Sequence, residues 1–209
     1  MEKREEKRNL ESIPVGSLRI IPLSSCKSLG EKVDSYLVKW RTERENEHKN
    51  SLAFAGYQRD SYILDARLPR FGSGEGKGEI KESVRGTDLF ILVDVCNYSL
   101  TYSMAGHENH MSPDDHYQDL KRIIAAISGK ARRVTVVMPM LYEGRQHRRT
   151  ARESLDCAMA LQELVKMGVS NIITFDAHDA RVQNAIPLHG FETIRPAYQF
   201  IKGLLRNVK

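Results

Sequence analysis

No stretch of this sequence approaches the roughly 18 consecutive apolar residues that a membrane-crossing helix needs. The first eight residues, Met1 to Arg8, mix acids and bases where a secretion signal would carry an apolar core. The chain is therefore expected in the cytoplasm. Cysteine is scarce: Cys26, Cys96 and Cys157 are odd in number and far apart, which speaks against a disulfide framework or a metal knuckle and for reduced thiols in core or loops. The phosphate-loop motif is also missing. There is no acidic excess, since Lys and Arg outnumber Asp and Glu by 32 to 27, for a net charge of +5. Such a balance favours phosphate-bearing partners without choosing among a nucleotide, a phosphosugar and a nucleic acid.

What is present fits one main core. The 209 residues are 41% hydrophobic and 28% charged, the content of a globular domain with enough apolar side chains to offset the entropy lost on ordering. Residues 1–16 read as a charged tail and 17–209 as one α/β domain. Leu18–Leu23 predicts a strand, and Ser24 or Ser25 can cap the helix behind it. The inward stripe of that helix is expected at Leu29, Val33, Tyr36, Leu37 and Trp40, with a solvated polar continuation from Arg41 to Asn50. Residues 62–71 have extended character. The next segment, 71–78, holds four glycines in eight residues, which suits either a plain hairpin turn or a ligand loop.

Three short β-branched runs follow, Phe90–Val95, Val134–Met138 and Asn171–Phe175, and read as buried parallel strands. Between the first two, Ser112-Pro-Asp-Asp115 supplies a cap, a proline at the first helical position and an acid three residues after the cap, predicting a helix to about Ser128. A second helix is predicted from about Arg152 to Met167, with Leu155, Ala158, Leu161, Leu164 and Val165 inward and Gly168 as its stop. This alternation predicts an open, mostly parallel sheet with helices on both faces, with an extended hairpin region, and it directs the search for a site to the carboxyl ends of the strands.

Two constellations fall there. After Met138 come Arg145, Arg148, Arg149 and Arg152, guanidinium groups that can grip phosphate oxygens in pairs or stack on a base; the bland alternative is a solvated basic loop. After Phe175 come Asp176 and His178, which could hold a divalent cation if the chain stays extended and both point one way. Their bland alternative is a capped turn. His107 and His110 sit in Cys96–Ser112, a polar segment read as a surface loop rather than a metal site.

Taken in order, these segments resemble the ribose-phosphate pyrophosphokinases. Arg70-Phe-Gly-Ser-Gly-Glu75 is similar to that family's Phe-Ser-Asn-Gln-Glu segment, and Glu79-Ile-Lys-Glu-Ser-Val-Arg-Gly86 closely matches the stretch behind it. Pro139–Arg149 resembles Pro-Tyr-Phe-Gly-Tyr-Ala-Arg-Gln-Asp-Arg-Lys, and Phe175–His178 resembles Met-Asp-Leu-His. The resemblance implies a phosphoribosyltransferase-like fold and pyrophosphoryl transfer from Mg-ATP to ribose 5-phosphate, giving phosphoribosyl pyrophosphate and AMP. It implies that Phe71, Ser73 and Glu75 reach the adenine nucleotide of a neighbouring subunit, that Arg145 and Gln146 contact ATP, and that Asp176 and His178 lie at the Mg²⁺ end. Dimer-based homo-oligomers, often hexamers, are implied too.

Departures accompany the likeness. Ser73 stands where the family commonly has asparagine, His147 replaces an aspartate, and His189 occupies a later acidic position, which implies weaker metal binding. The Cys96–Ser112 loop is longer than usual. The family continues with a second α/β domain for ribose 5-phosphate, so this chain is expected to supply the ATP-binding half and to be inactive alone. A noncatalytic regulatory subunit is the alternative reading, and a basic nucleic-acid binder ranks last because no binding motif or interleaved aromatics accompany the arginines.

Overall fold

The computed structural model describes residues 14–46 and 59–208; the predicted tail, apart from residues 14–16, and the segment 47–58 lie outside the described residues. In chain order the strands and helices are β1 (Ser17–Pro22), α1 (Lys27–Asn46), β2 (Ala66–Arg67), β3 (Glu79–Ile80), β4 (Thr87–Leu92), β5 (Thr101–Met104), β6 (His107–His110), α2 (Pro113–Ile127), β7 (Arg133–Met138), α3 (Asp156–Lys166), β8 (Asn171–Phe175), β9 (Gly190–Ile194) and α4 (Ala197–Asn207). The main sheet runs β1-β4-β7-β8-β9 and every pairing in it is parallel.

A single parallel bridge, Ile20 to Ile63, sets residues 62–64 against the free side of β1. Ile20 N–H donates to the Tyr62 carbonyl at 2.9 Å, and Leu64 N–H to the Ile20 carbonyl at 2.8 Å. The chain therefore leaves β1 in one direction and crosses back to β4 on the other side. A right-handed crossover in each direction places the helices on opposite faces. Alternating side chains bear this out. Ile20, Phe90 and Leu92 pack with Val33, Leu37 and Val38 of α1, whereas Ile21, Leu89, Ile91 and Val93 pack with Leu120, Ile123 and Ile127 of α2 and with Leu161 and Leu164 of α3. The sheet has helices on both faces, with its direction reversal between β1 and β4.

Local signals explain most boundaries. The predicted capping box forms: Asp115 N–H donates to Ser112 Oγ at 3.1 Å, and Ser112 N–H donates to Asp115 Oδ2 at 2.9 Å. Gly168 ends the third helix at φ +97°, a region open to glycine at little cost. That helix starts at Asp156, not near Arg152, and buries Cys157, Ala160, Leu161 and Leu164; Leu155 and Ala158 face a surface cavity instead.

Three further expectations are corrected. Leu29 is exposed, and Tyr36 and Trp40, 58% and 57% exposed, contact each other, 5.9 Å between ring centroids, instead of facing the core. The start of the first helix is a 3-10 turn over Ser24–Cys26 without a side-chain cap, because the Ser25 hydroxyl accepts from Asp94 N–H at 3.1 Å. The segment read as a surface loop contains the antiparallel pair β5–β6, turned by Ala105 and Gly106 at φ +50° and +81°. Two successive positive φ angles define the tight turn whose twist suits a hairpin.

The glycine-rich segment is a turn. Phe71 N–H donates to the Glu75 carbonyl and Gly74 N–H to the Phe71 carbonyl, at 2.8 and 2.9 Å. Its glycines make room for arginines: a Cβ on Gly76 would lie 2.6 Å from both Arg70 Nη1 and Arg122 Nη1.

Candidate functional site

The carboxyl ends of β4, β7 and β8 open into a cavity of about 540 Å³, lined among others by Cys96, Tyr142, Arg145, Phe175, Asp176 and His178. Arg145 and His178, which are 33 positions apart in sequence, thus share one rim. Two neighbouring parallel strands end there, and each turn carries one of the predicted polar groups.

The turn after β7 is tight: Gly144 N–H donates to the Leu141 carbonyl at 3.1 Å and Gln146 N–H to the Glu143 carbonyl at 2.8 Å. Glu143 adopts φ +54° to make it, and Tyr142 anchors it from below. The Tyr142 ring stacks on Tyr117 at 4.2 Å, and its hydroxyl donates to Asp114 Oδ1 at 2.7 Å. Burial is the main influence raising the Glu143 carboxyl pKa, with Asp156 and Asp114 adding to it. Arg145 itself is exposed, its charge free to meet an anion in the cavity.

After β8 the chain does not stay extended. Asp176 has φ +47°, and Asp176 N–H donates to the Ile194 carbonyl and Ala177 N–H to Thr193 Oγ1, both at 2.9 Å. The expectation that Asp176 and His178 point together by strand alternation is therefore replaced by a turn pinned to β9. Both still line the cavity. Among the described residues no three His, Cys, Asp or Glu side chains are grouped to hold a metal, so Asp176 and His178 would serve a cation that draws its other ligands from elsewhere. Mg²⁺ bound to a polyphosphate commonly takes few protein ligands, and an oxygen and a nitrogen donor beside a guanidinium fit that pattern.

The arginine cluster splits. Arg148 lines a separate cavity of about 500 Å³ with His147, Asp179 and Arg181. Asp179 receives Arg181 Nη2 at 2.5 Å and approaches His147 Nε2 at 3.4 Å. Hydrogen bonds from Arg181, first from its side chain and then its backbone, hold the Asp179 carboxyl well below the usual carboxylate range. Arg149, Arg152 and Gln146 are exposed, and none of the three lines either cavity.

Phe71, Ser73 and Glu75 are not brought to the rim. They form the exposed tip of the turn between β2 and β3, where Phe71 is 55% exposed and Ser73 Oγ donates to Glu75 Oε2 at 2.8 Å. The paired histidines do not converge either: His107 opposes Met104 and His110 opposes Thr101 at the two ends of β6, and residues three apart on a strand face opposite ways. Sequence reasoning passed over Tyr142 and Phe175 as lining groups, although both stand inside the segments that follow predicted strands.

Cys96 is partly buried at the rim, with its Sγ 3.3 Å from Met140 Sδ. Burial and then Asp94 raise its pKa, while Arg145 opposes them. Cys26 and Cys157 are buried, and desolvation pushes each up to about 11.

Comparison with known proteins identifies the family and the fold. Residues 18–168 match the family described as the N-terminal domain of ribose phosphate pyrophosphokinase. Ribose-phosphate pyrophosphokinase 1 of Schizosaccharomyces pombe is 34% identical over 121 residues, 57% of this chain and 26% of that protein. The ribose-phosphate pyrophosphokinase of Nitrosomonas europaea is 31% identical over 121 residues, 56% of this chain and 34% of that protein. The crystal structure of phosphoribosylpyrophosphate synthetase from Mycobacterium smegmatis superposes with a TM-score of 0.67 at 18% identity, covering 91% of this chain and 52% of that one. The chain thus spans a quarter to a third of these curated relatives and about half of the solved one.

Proposed function

Because this chain belongs to the ribose-phosphate pyrophosphokinase family, matching its N-terminal domain over 18–168, we propose that the cavity above β4, β7 and β8 holds the polyphosphate of Mg-ATP. The observation that carries this reading is the shared rim: Arg145 and His178, on turns from two adjacent strands, line one opening of about 540 Å³. Arg145 supplies a permanent positive charge and paired donors for phosphate oxygens. Asp176 and His178 would hold Mg²⁺ or its water shell. The cation, when bound, neutralises charge on the phosphate oxygens.

The reaction proposed for the whole protein is attack of the anomeric hydroxyl of ribose 5-phosphate on the β-phosphorus of ATP, forming phosphoribosyl pyrophosphate and releasing AMP. This domain's part in it is positioning. It holds the nucleotide in line, keeps positive charge against the oxygens that gain negative charge, and shields the phosphates from water. The Phe71–Glu75 turn lies apart from the cavity on an exposed tip, which suits residues that act on a neighbouring copy's nucleotide, and oligomerisation is proposed on that ground.

The test is calorimetric titration of Mg-ATP into wild-type protein and Arg145→Ala. Losing charge-assisted hydrogen bonds worth about 1.5–3 kcal/mol predicts a Kd weaker by about 10- to 150-fold. Unchanged affinity sinks the assignment. His178→Ala should alter the Mg²⁺ dependence of the same titration, and an identical metal dependence removes His178 from the site.

A further inference from the structure

The sheet reverses direction between β1 and β4, yet the nucleotide cavity lies one strand further along, over β4, β7 and β8. Open α/β sheets form a crevice where the strand order reverses, because the connecting helices part there to opposite faces. That crevice exists here as a separate cavity of about 230 Å³, walled by Ser24 and Ser25 at the end of β1, Arg70, Tyr102 on β5, and His116 and Asp119 on α2.

Its polar groups are unevenly satisfied. Asp119 accepts from Arg70 Nη2 at 2.9 Å and from Arg122 Nη1 at 2.6 Å, so two guanidinium groups share one carboxylate and one positive charge is left over. The Arg70 side chain is only 10% exposed and lies 5.0 Å over the Tyr102 ring. Its Nε and Nη1 have no hydrogen-bond acceptor among the described residues.

His116 is 2% exposed. Its Nε2 meets the Asn97 carbonyl at 2.8 Å, an acceptor, so Nε2 is the donor of that bond and Nδ1 is the ring nitrogen left for a further partner. Opposite them, the helical run that opens with the 3-10 turn at Ser24 begins. The first N–H groups of such a run have no partners within it and favour negative charge. Thr101 also lines the crevice, its hydroxyl donating to Glu108 Oε1 at 2.7 Å, and the rest of the wall is apolar: Leu23, Leu68, Leu100 and Met111.

We propose that this crevice is a second binding site, for a small organic carboxylate that carries a hydroxyl and a short apolar body. The carboxylate meets the surplus guanidinium charge and the helix start, the hydroxyl hydrogen-bonds the second ring nitrogen of His116, as donor or acceptor, and the body fills the leucine-lined side. A volume of about 230 Å³, at roughly 30 Å³ for each water-sized group, admits about eight heavy atoms. Free phosphate is disfavoured because half the wall could offer it no donor. The site is independent of how the nucleotide cavity is read.

The test uses the full chain and 2-hydroxyisovalerate, with isovalerate lacking the hydroxyl, 2-hydroxyisovaleramide lacking the charge, and inorganic phosphate as comparators. Amide chemical shifts followed by NMR should show saturable binding of 2-hydroxyisovalerate at Ser25, Tyr102 and His116. The amide should bind at least tenfold more weakly and isovalerate several-fold more weakly. Leu100→Trp, which fills the cavity from a partly buried position, should abolish the shifts while the remaining spectrum stays native. The proposal is overturned by absence of binding, by phosphate or the amide binding as tightly, by shifts centred on Arg145 and His178, or by undiminished binding to Leu100→Trp.

Discussion

Replacing Gly74 with alanine tests how the glycine-rich turn is held. Gly74 has φ +89°, and a Cβ there would lie 2.8 Å from Met104 Sδ, on the β5–β6 hairpin that clamps the turn through a bond from Ala105 N–H to the Gly72 carbonyl at 2.8 Å. Two costs add. The left-handed backbone costs an alanine about 1–2 kcal/mol. Pushing aside the flexible end of Met104 costs about 0.5–1 kcal/mol more, the scale of an off-rotamer side chain. Urea unfolding of Gly74→Ala should therefore show a loss of roughly 1.5–3 kcal/mol, or about 3–12 °C in Tm for a domain of this length.

Met104→Ala separates the two costs, since it removes the clash and leaves the backbone unchanged. The double variant should be more stable than the sum of the single changes predicts, by about 0.5–1 kcal/mol. A Gly74→Ala protein within about 0.3 kcal/mol of wild type, comparable to the usual additivity error, refutes the conformation assigned to the turn. A cycle without coupling refutes the contact with Met104.

Three other outcomes are expected. Ser112→Ala should cost about 1 kcal/mol by thermal unfolding through loss of the capping box, and Asp115→Ala should add less on top of it than it costs alone, because the two side chains share one motif. Thiol labelling of the native protein at pH 8 should modify Cys96 first, faster as pH rises, with Mg-ATP slowing it; Cys26 and Cys157, pushed up to about 11 and buried, should react only on unfolding. Asp179, whose carboxyl pKa is lowered by Arg181 and His147, contributes stability that is present above the ordinary carboxylate pKa of about 4 and is lost as pH falls through its folded value. The stability gap between wild type and Asp179→Asn should thus not shrink from pH 8 to 5 and should close only below about pH 4; a gap that closes at neutral pH contradicts that assignment.

The parts of the fold that bury apolar side chains were legible. β7 and β8 are β-branched runs because both faces of a parallel strand are covered, and the Ser112 box announced its helix with three residues of local chemistry; the run expected at Phe90–Val95 overlaps β4 only over Phe90–Leu92, because the strand begins earlier, at Thr87-Asp88-Leu89, where a buried Asp88 interrupts the apolar pattern. The first helix was misread on one side: Tyr36 and Trp40 share the spacing of a core stripe, but only Val33, Leu37 and Val38 reach the sheet. The hairpin over residues 101–110 was hidden since a two-stranded exposed ribbon has no face to bury and so no alternation to detect. The reversal between β1 and β4 rests on one bridge at Ile63, a signal too short to read. β9 and α4 were not anticipated.

At the site, the strand-end rule brought Arg145 and His178 to one rim without any knowledge of distances. It could not show that Asp176 turns left-handed, that Arg148 faces another cavity, or that Gly76 and Gly78 serve the close approach of Arg70 and Arg122. Each of these depends on a tertiary neighbour distant in sequence.

The central claim is that the two turns after β7 and β8 grip one polyphosphate. Crystals grown with Mg²⁺ and a non-hydrolysable ATP analogue test it most directly. The account predicts phosphate density within hydrogen-bond reach of the Arg145 guanidinium, with the cation or its waters against His178. Density in the Arg148 and Arg181 cavity, or a nucleotide that touches only one of the two turns, contradicts it.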